Sequence, residues 1–366
     1  MTRREIKKMH DGLRILHLLG PLNPSGMERM LVSGADYFRQ HGLTSTVVGQ
    51  GASHPYGEAL RAAGYLVFEI PPIRSLGGLH ALRRLLRVSR ADIVHVHTES
   101  NYAAATLVAA TIWRGPRVVR TVHNVFSPSG LTRVTRRVQS LIGDIIARAV
   151  IVPSPDVQKN EATYGRKSIL IYNWVGDHIS GSRQDFAARD VRGDRMTAVI
   201  VGNCSTIKNH DLVLRLLFDQ GFYLYHHGDE RNASAQEITL LEAFERAGRL
   251  AYRGTADPSV SLEHASLYLM PSTQEGMPVA LAEALTLGVP ALINDVPGLR
   301  WAGAIRGVRL VDNDPLAWRE AIQTFVTEGA QGWHGVASPN FSAERGVSEY
   351  VQQYERAAGR GSGVER

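Results

Sequence analysis

Two acids, Glu275 and Glu283, carry the chemistry easiest to read in this chain. Glu275 stands in the loop Gln274-Glu275-Gly276-Met277-Pro278. Before it runs Ser266-Leu267-Tyr268-Leu269-Met270, an apolar stretch short enough for a buried strand, ended by Pro271 and Ser272. Val279 to Leu287 are strong helix formers, with Pro278 where a first turn tolerates it. Gly288 stops that helix, and Pro290 to Ile293 reads as the next strand. A loop that leaves a strand and enters a helix aims its amides outward, here at Gly276, Met277 and Val279, where they bind anions or sugar hydroxyls. A carboxylate beside them accepts hydrogen bonds from two adjacent hydroxyls and so suits a diol. A lone helical Glu is ordinarily solvated. Glu283, however, is flanked by Ala280, Leu281, Ala282, Ala284 and Leu285, and an acid in so apolar a helix needs a partner if it is buried.

Three other stretches could handle an anion or a sugar. Gly20-Pro21-Leu22-Asn23-Pro24-Ser25-Gly26 joins a strand to a helix, and Gly26 lets backbone approach a pyrophosphate. Val201-Gly202-Asn203-Cys204-Ser205-Thr206-Ile207-Lys208 has the same setting, a strand and a glycine turn followed by a cation. Thr121-Val122-His123-Asn124 ends a strand with an imidazole. His95 and His97 end the strand before it, with Glu99 beyond; His95 fits sheet packing better than a site.

The two acids, with Gly276 directly after the first, resemble the signature of the retaining GT-B glycosyltransferases of family 4, and the likeness covers nearly the whole chain. The resemblance implies an α/β fold, GT-B, of two Rossmann-like doubly wound parallel-sheet domains with an interdomain cleft. It implies a last helix that crosses back to the first domain. It gives residues 1–175 plus a C-terminal helix at 343–366 to an acceptor-side domain, and 176–342 to a nucleotide-sugar domain. Glu283 is then expected on the ribose diol, and Lys208 with loop amides on the diphosphate. Glu275, Gly276, Met277, Pro278 and Val279 would hold the sugar, with the base near Tyr252 and Arg253. Gly26 and Gly202 would line the donor site. His123 would lie by the donor sugar, and His97 and Glu99 on the acceptor side. The chain departs from the family pattern twice: one glycine, Gly26, stands where two adjacent ones are usual, and Asn203 replaces the usual Arg. Phosphate stabilisation should therefore lean on Lys208, with Arg253 and Arg300 as candidate replacements. The resemblance makes His123, Lys208 and Glu275 the expected catalytic set. A retaining transfer of this kind builds charge on the leaving phosphate, so electrostatic stabilisation there is the main lever.

Two alternation series must position these residues. Strands are expected at 13–19, 44–48, 65–70, 92–97, 117–122, 150–153 and 168–171, with helices at 27–40, 79–89, 102–113 and 132–147. After a polar, aperiodic linker at 176–194, strands recur at 197–201, 222–226, 250–252, 266–270, 290–293 and 308–311, and a final helix spans 344–357. Strands alternating with helices indicate doubly wound parallel sheets, and 366 residues favour two cores over one.

Composition bounds the rest. A single cysteine excludes an internal disulfide, and the polar, basic start reads as neither signal nor transit peptide. The longest apolar stretch, Tyr102 to Trp113, is too short to span a bilayer. The expected place is the cytoplasm, peripheral on the inner face of the membrane. Through Val175 the chain has 23 Lys+Arg against 11 Asp+Glu, or +12; the remainder, 18 against 24, has −6. A basic half suits an anionic partner. The expected partners are a nucleotide-sugar donor, a glycan or lipid-linked acceptor and an anionic membrane surface, with no nucleic acid. Asp312-Asn313-Asp314 spells a metal-binding DxD but opens a helix, so N-capping explains it. The lone Cys204 gives no metal-ligand spacing with the 14 histidines. No metal or cofactor is expected. A GT-B nucleotide-sugar epimerase and a non-catalytic binding protein with a basic face are the alternatives.

Overall fold

The short apolar runs of the two halves form two all-parallel sheets. The computed structural model describes residues 12–99, 101–125, 130–181, 196–329, 333 and 341–360. In the first half the order is β1 (Arg14–Leu18), α1 (Gly26–Gln40), β2 (Thr44–Gln50), α2 (Gly57–Ala62), β3 (Leu66–Ile70), α3 (Leu76–Ser89), β4 (Ile93–Val96), α4 (Tyr102–Ala110), β5 (Arg117–Thr121), α5 (Gly130–Ile146), β6 (Ala147–Val152), α6 (Pro155–Ala162) and β7 (Ile169–Leu170). The second half runs α7 (Asp177–Gly181), β8 (Thr197–Val201), α8 (His210–Asp219), β9 (Tyr223–His227), α9 (Ala235–Arg246), β10 (Leu250–Gly254), α10 (Ser259–Glu263), β11 (Leu267–Met270), α11 (Val279–Thr286), β12 (Ala291–Asn294), a 3-10 turn, β13 (Val308–Val311) and α12 (Pro315–Glu328), before α13 (Ala343–Ala357).

The strand orders are β3-β2-β1-β4-β5-β6-β7 and β10-β9-β8-β11-β12-β13. Each order reverses once, between β1 and β4 and between β8 and β11. Such reversals open a crevice at the strands' C-terminal ends, where ligands of this fold class bind. By contacts the chain divides into Met1–Trp174 with Ser342–Arg366, and Val175–Phe341.

Buried strands of this type read as continuous apolar runs because helices cover both faces. In the first unit Ile15, Met30, Phe38, Val47, Ile93, Trp174 and Tyr354 share one core, Leu16, Val94, Leu82, Leu86 and Tyr102 a second, and Val122, Val150, Val152 and Val157 a smaller one. The second unit packs Ile200, Leu217, Phe244, Leu269, Trp318 and Phe325. Helix α13 belongs to the first unit and lies against α1. A Cβ on Gly346 would stand 2.3 Å from Trp174 Cε3, so only glycine permits this approach.

Several boundaries differ from those the sequence suggests. Helix α4 stops at Ala110 rather than Trp113, and Arg114 and Gly115 follow in a turn, Arg114 at φ 52°. Helices α2 and α6 carry no apolar stripe long enough to announce them. Strand β7 has only two residues. The linker opens with α7, and its remainder, 182–195, lies outside the described residues, as do 1–11 and 361–366. No described helix is long and apolar enough to cross a membrane.

Candidate functional site

In the second unit, the loops that follow β8 and β11 flank the reversal point. They are tied together by backbone: Thr273 N–H donates to Ile207 O at 2.8 Å. A buried asparagine clamps the base of the second loop. Asn294 Nδ2 donates to Pro271 O and Ser272 O at 2.6 and 3.1 Å, while its Oδ1 accepts from Trp318 Nε1 at 2.8 Å. Gly298, at φ 94°, presses on the same loop from outside; a Cβ there would meet Glu275 O at 2.1 Å.

This frame brings Lys208 Nζ to 2.6 Å from Glu275 Oε1. Glu275, Gly276, Met277 and Val279 are all buried or nearly so, with Pro278 at the N-cap of α11, where no side chain caps the helix. Glu283 lies one side of α11 further in and is only 4% exposed, as its apolar flanks require if it is to be a site residue. Tyr268 on β11 feels the charge of both acids. Burial first, then Glu275 and Glu283, push its phenol well above the usual range, and its hydroxyl has no hydrogen-bond partner among the described residues. Tyr268 reads in the sequence as a plain strand residue, two residues before the end of the strand that leads into the carboxylate loop.

Other expected donor residues are already engaged. Asn203 Oδ1 accepts from Asp229 N–H at 3.0 Å, so only its amide nitrogen remains for a phosphate. Arg253 grips Glu230 through two contacts of 2.8 and 2.6 Å, and Arg300 holds Asp295 at 2.5 Å. Either guanidinium would have to exchange its carboxylate for a phosphate, as Lys208 would have to exchange Glu275. Tyr252 stacks on His227 with ring centroids 4.3 Å apart, and its hydroxyl accepts from Ala256 N–H. Both Tyr252 and Arg253 sit on edge strand β10, which β9 and β8 separate from β11. Asp314 accepts from Leu316 and Ala317 amides at 2.9 Å each, so the DxD triplet is a helix cap.

Sequence spacing also hid a cluster beneath the β8 loop. Cys204, His210, His226 and Glu237 are all buried, with one ligand atom from each within 4.8 Å of the others. Burial alone would raise the Glu237 carboxyl, but hydrogen bonds from His210, His226 and Cys204 outweigh it and hold it well below the usual range. Burial pushes the Cys204 thiol up.

In the first unit the imidazoles form a file. His17 Nδ1 lies 3.2 Å from His97 Nε2, and His97 Nδ1 lies 3.1 Å from His123 Nε2. His17 Nε2 is buried without a partner among the described residues. An orphaned buried N–H is rarer than an orphaned lone pair, so the His17 proton sits on Nδ1. The file then donates outward, and His123 keeps its own proton on Nδ1. Burial, then the charge of Arg120, lowers the His123 pKa to about 4, and His17 falls to about 3 by burial alone. His95 is spent on packing, between Tyr354 and Thr121 hydroxyls at 2.7 Å each. Glu99 pairs with buried Arg120 at 2.6 Å. Gly26 opens α1. Glu28 folds back onto Ser25 and onto the amides of Asn23 and Glu28, and burial raises its carboxyl to about 7 against those bonds.

Two parallel sheets of this order, each with a glycine loop at its reversal, make up the two-domain GT-B fold. HepE of Anabaena in complex with UDP-glucose has the same fold: TM-score 0.71 at 16% identity, over 95% of this chain and 98% of that one. Residues 24–177 match the model "Glycosyltransferase Family 4" and residues 195–328 match "Glycosyl transferases group 1". The chain belongs to the family 4, group 1 glycosyltransferases. Among curated relatives, EpsF of Bacillus subtilis (strain 168), described as a glycosyltransferase, is 24% identical over 350 residues, 86% of this chain and 88% of its own. The O-antigen biosynthesis glycosyltransferase WclY of Escherichia coli is 22% identical over 249 residues, 63% of this chain and 69% of its own.

Proposed function

We propose that this glycosyltransferase moves a hexose, with retention, from a uridine-diphosphate sugar to an acceptor hydroxyl of a cell-envelope glycan or its lipid-linked precursor. The observation that carries the donor reading is the Lys208–Glu275 contact at the strand reversal, with buried Glu283 on the adjoining helix. Lys208 stabilises the charge that grows on the leaving diphosphate. Glu275 and the amides of Gly276, Met277 and Val279 receive the sugar hydroxyls, and Glu283 takes the ribose diol. No divalent ion is needed on the diphosphate in this scheme. His123, backed by His97 and His17, is the first domain's contribution, as a neutral hydrogen-bond donor. The domain boundaries follow from this division of labour: donor chemistry in 176–342, acceptor chemistry in 1–175 with the last helix. UDP-sugar follows HepE, and the envelope acceptor follows WclY.

The acceptor reading has its own support on the first unit. Helix α5 leaves Val134, Val138, Leu141 and Ile145 exposed in one stripe, Ile145 at 85%, and Trp113 stands nearby at 89%. Ile145 and Trp113 line a depression of about 1000 Å³ together with Arg87, Arg90, Arg114, Arg117 and Arg148. An apolar rim around arginines suits an anionic membrane surface. A melting-temperature panel of UDP, GDP and ADP sugars, followed by product analysis with and without acceptor, tests the whole reading. Stabilisation by UDP sugars and transfer only with acceptor are expected; release of an epimerised free sugar would replace it with the epimerase.

A further inference from the structure

We propose that Cys204, His210, His226 and Glu237 form a closed structural zinc site that pins the loop carrying Lys208. The four come from separate places in the second unit: the loop after β8, the first turn of α8, strand β9 and the first turn of α9. Nothing in their sequence spacing unites them, yet the fold buries all four with their ligand atoms together.

The distances favour a tetrahedral ion. With Zn–S of about 2.3 Å and Zn–N or Zn–O of about 2.0 Å, the edges of the tetrahedron come to roughly 3.3–3.6 Å. Cys204 Sγ to His226 Nε2 is 3.7 Å, and His226 Nε2 to Glu237 Oε1 is 3.6 Å. His210 Nδ1 to Glu237 Oε1 is closer, a hydrogen bond of 2.7 Å, and the remaining pairs lie within 4.8 Å. A cation entering there replaces the bonded proton and opens that edge by under an ångström.

The chemistry of the set agrees. Thiolate, two imidazoles and a carboxylate are the ligands of zinc, not of magnesium or calcium. A thiolate and a carboxylate together cancel the charge of a divalent ion, so the filled site is neutral where it is buried. Glu237 otherwise has only imidazoles and a thiol at hand; its ion-pair partners among the described residues are His210 and His226, with no lysine or arginine. Buried carboxylates are commonly paired with a cation or bound to a metal. The far nitrogen of His226 faces Glu230 Oε1 at 3.9 Å, and Arg253 holds that carboxylate in place. At 3.9 Å this is a charge contact and not the hydrogen bond that ordinarily orients a zinc-bound imidazole. Four protein ligands leave no open position, so the site is structural. Cys204 and His210 bracket Lys208 in the chain, and fixing both ends fixes the loop between.

The test is metal binding by the full chain, which stands apart from the donor reading because it needs no turnover. Protein stripped with a chelator, checked for native circular dichroism and then refilled, is expected to take one zinc per chain and to melt about 5–10 °C higher at a hundredfold excess over Kd. Cobalt in place of zinc is expected to give tetrahedral visible bands and a thiolate band in the near ultraviolet. Cys204→Ser should abolish the thiolate band, and Glu237→Gln should weaken zinc at least tenfold. A folded wild-type chain that binds neither zinc nor cobalt overturns the proposal. So does zinc retained in Cys204→Ser and lost in His95→Gln, which would move it to the first unit, where His17, His95 and His97 also bring ring nitrogens within 4.8 Å of one another.

Discussion

Lys208 and Glu275 neutralise each other across 2.6 Å, from loops that end two adjacent strands. A diphosphate approaching Lys208 competes with that carboxylate, and a sugar hydroxyl approaching Glu275 competes with that ammonium. Binding the whole donor exchanges one ion pair for two contacts, whereas binding UDP alone leaves Glu275 facing an anion. Lys208→Met should therefore lower kcat/KM about 10²–10³-fold, the usual loss for a group that stabilises transition-state charge. Glu275→Gln should lower turnover similarly while binding UDP as tightly as wild type or up to about tenfold tighter, since a like charge is gone. Calorimetry with UDP and initial rates with the sugar nucleotide separate the two. Weaker UDP binding in both variants would sink the assignment.

Glu283 should act on the nucleotide and not on the sugar. Glu283→Ala is expected to raise the Kd for UDP about 10–100-fold, the loss of hydrogen bonds to a charged group. The sharper comparison uses 2′-deoxy-UDP, which lacks one arm of the diol. It should bind wild type weakly and the variant no worse than UDP does. A variant that still distinguishes the two nucleotides would remove Glu283 from the ribose.

Donor chemistry should proceed without magnesium or manganese. Turnover measured promptly in excess EDTA should stay within about twofold of the untreated rate, because Lys208 and amides carry the phosphate charge. Activity abolished at once by chelation and restored by Mg²⁺ would show a catalytic metal. Slow loss restored by zinc and not by magnesium would instead report the buried Cys204 cluster.

The histidine file makes the first unit sensitive to acid. His123 titrates near 4 and His17 near 3 when folded, against 6.5 when free. Below pH 6.5 the unfolded chain therefore binds more protons, and stability falls as the pH drops toward 4. For His123 alone the loss at pH 5 is about 2 kcal/mol. Glu28 works the other way: raised to about 7, it favours the folded state fully below pH 4.5 and loses that contribution as the pH rises through 7. Urea midpoints followed by fluorescence should fall from pH 6.5 to 4.5, and His17→Phe should flatten the fall. Glu28→Gln should raise stability at pH 8 relative to wild type. Midpoints independent of pH in that window would contradict the buried neutral state.

Much of this was legible because parallel strands buried on both faces write themselves as apolar runs. Thr197–Val201 and Val308–Val311 fall where those runs stand. The burial of Glu283 follows from its alanine and leucine neighbours, and the capping role of Asp314 from the proline after it. What stayed hidden depends on tertiary approach. Cys204 has no partner in sequence, and His226 and Glu237 reach it only once β8, β9 and α9 have packed. Arg253 reads as a spare cation until β10 sets it against Glu230. The imidazole file needs β1, β4 and β5 side by side, with His17 opposite His95 in register. Sequence shows each histidine at a strand end but not the line they form.

Membrane contact is the prediction that reaches furthest from the donor site. On α3, Leu82 and Leu86 are buried and Leu79 half-buried, so that helix's apolar stripe is core, while Arg84, Arg87 and Arg90 stay exposed. The side chains of Arg133 and Arg136, in the basic segment of α5, lie outside the described residues; Arg137 is exposed. The apolar element of the surface is instead the stripe of Val134, Val138, Leu141 and Ile145, with Trp113 beside it. Near an anionic leaflet each arginine contributes roughly 1 kcal/mol, so three or four hold the protein reversibly, and the apolar residues add a part that salt does not screen. Cosedimentation with vesicles should therefore require anionic lipid and fall steeply as salt rises from about 50 to about 200 mM. Arg84→Glu with Arg87→Glu and Arg90→Glu should abolish the salt-sensitive part. Leu141→Asp with Ile145→Asp should weaken binding about tenfold or more at every salt concentration, leaving transfer to a soluble acceptor analogue intact. Wild-type protein that ignores anionic vesicles at low salt would leave the arginines to a phosphorylated soluble acceptor.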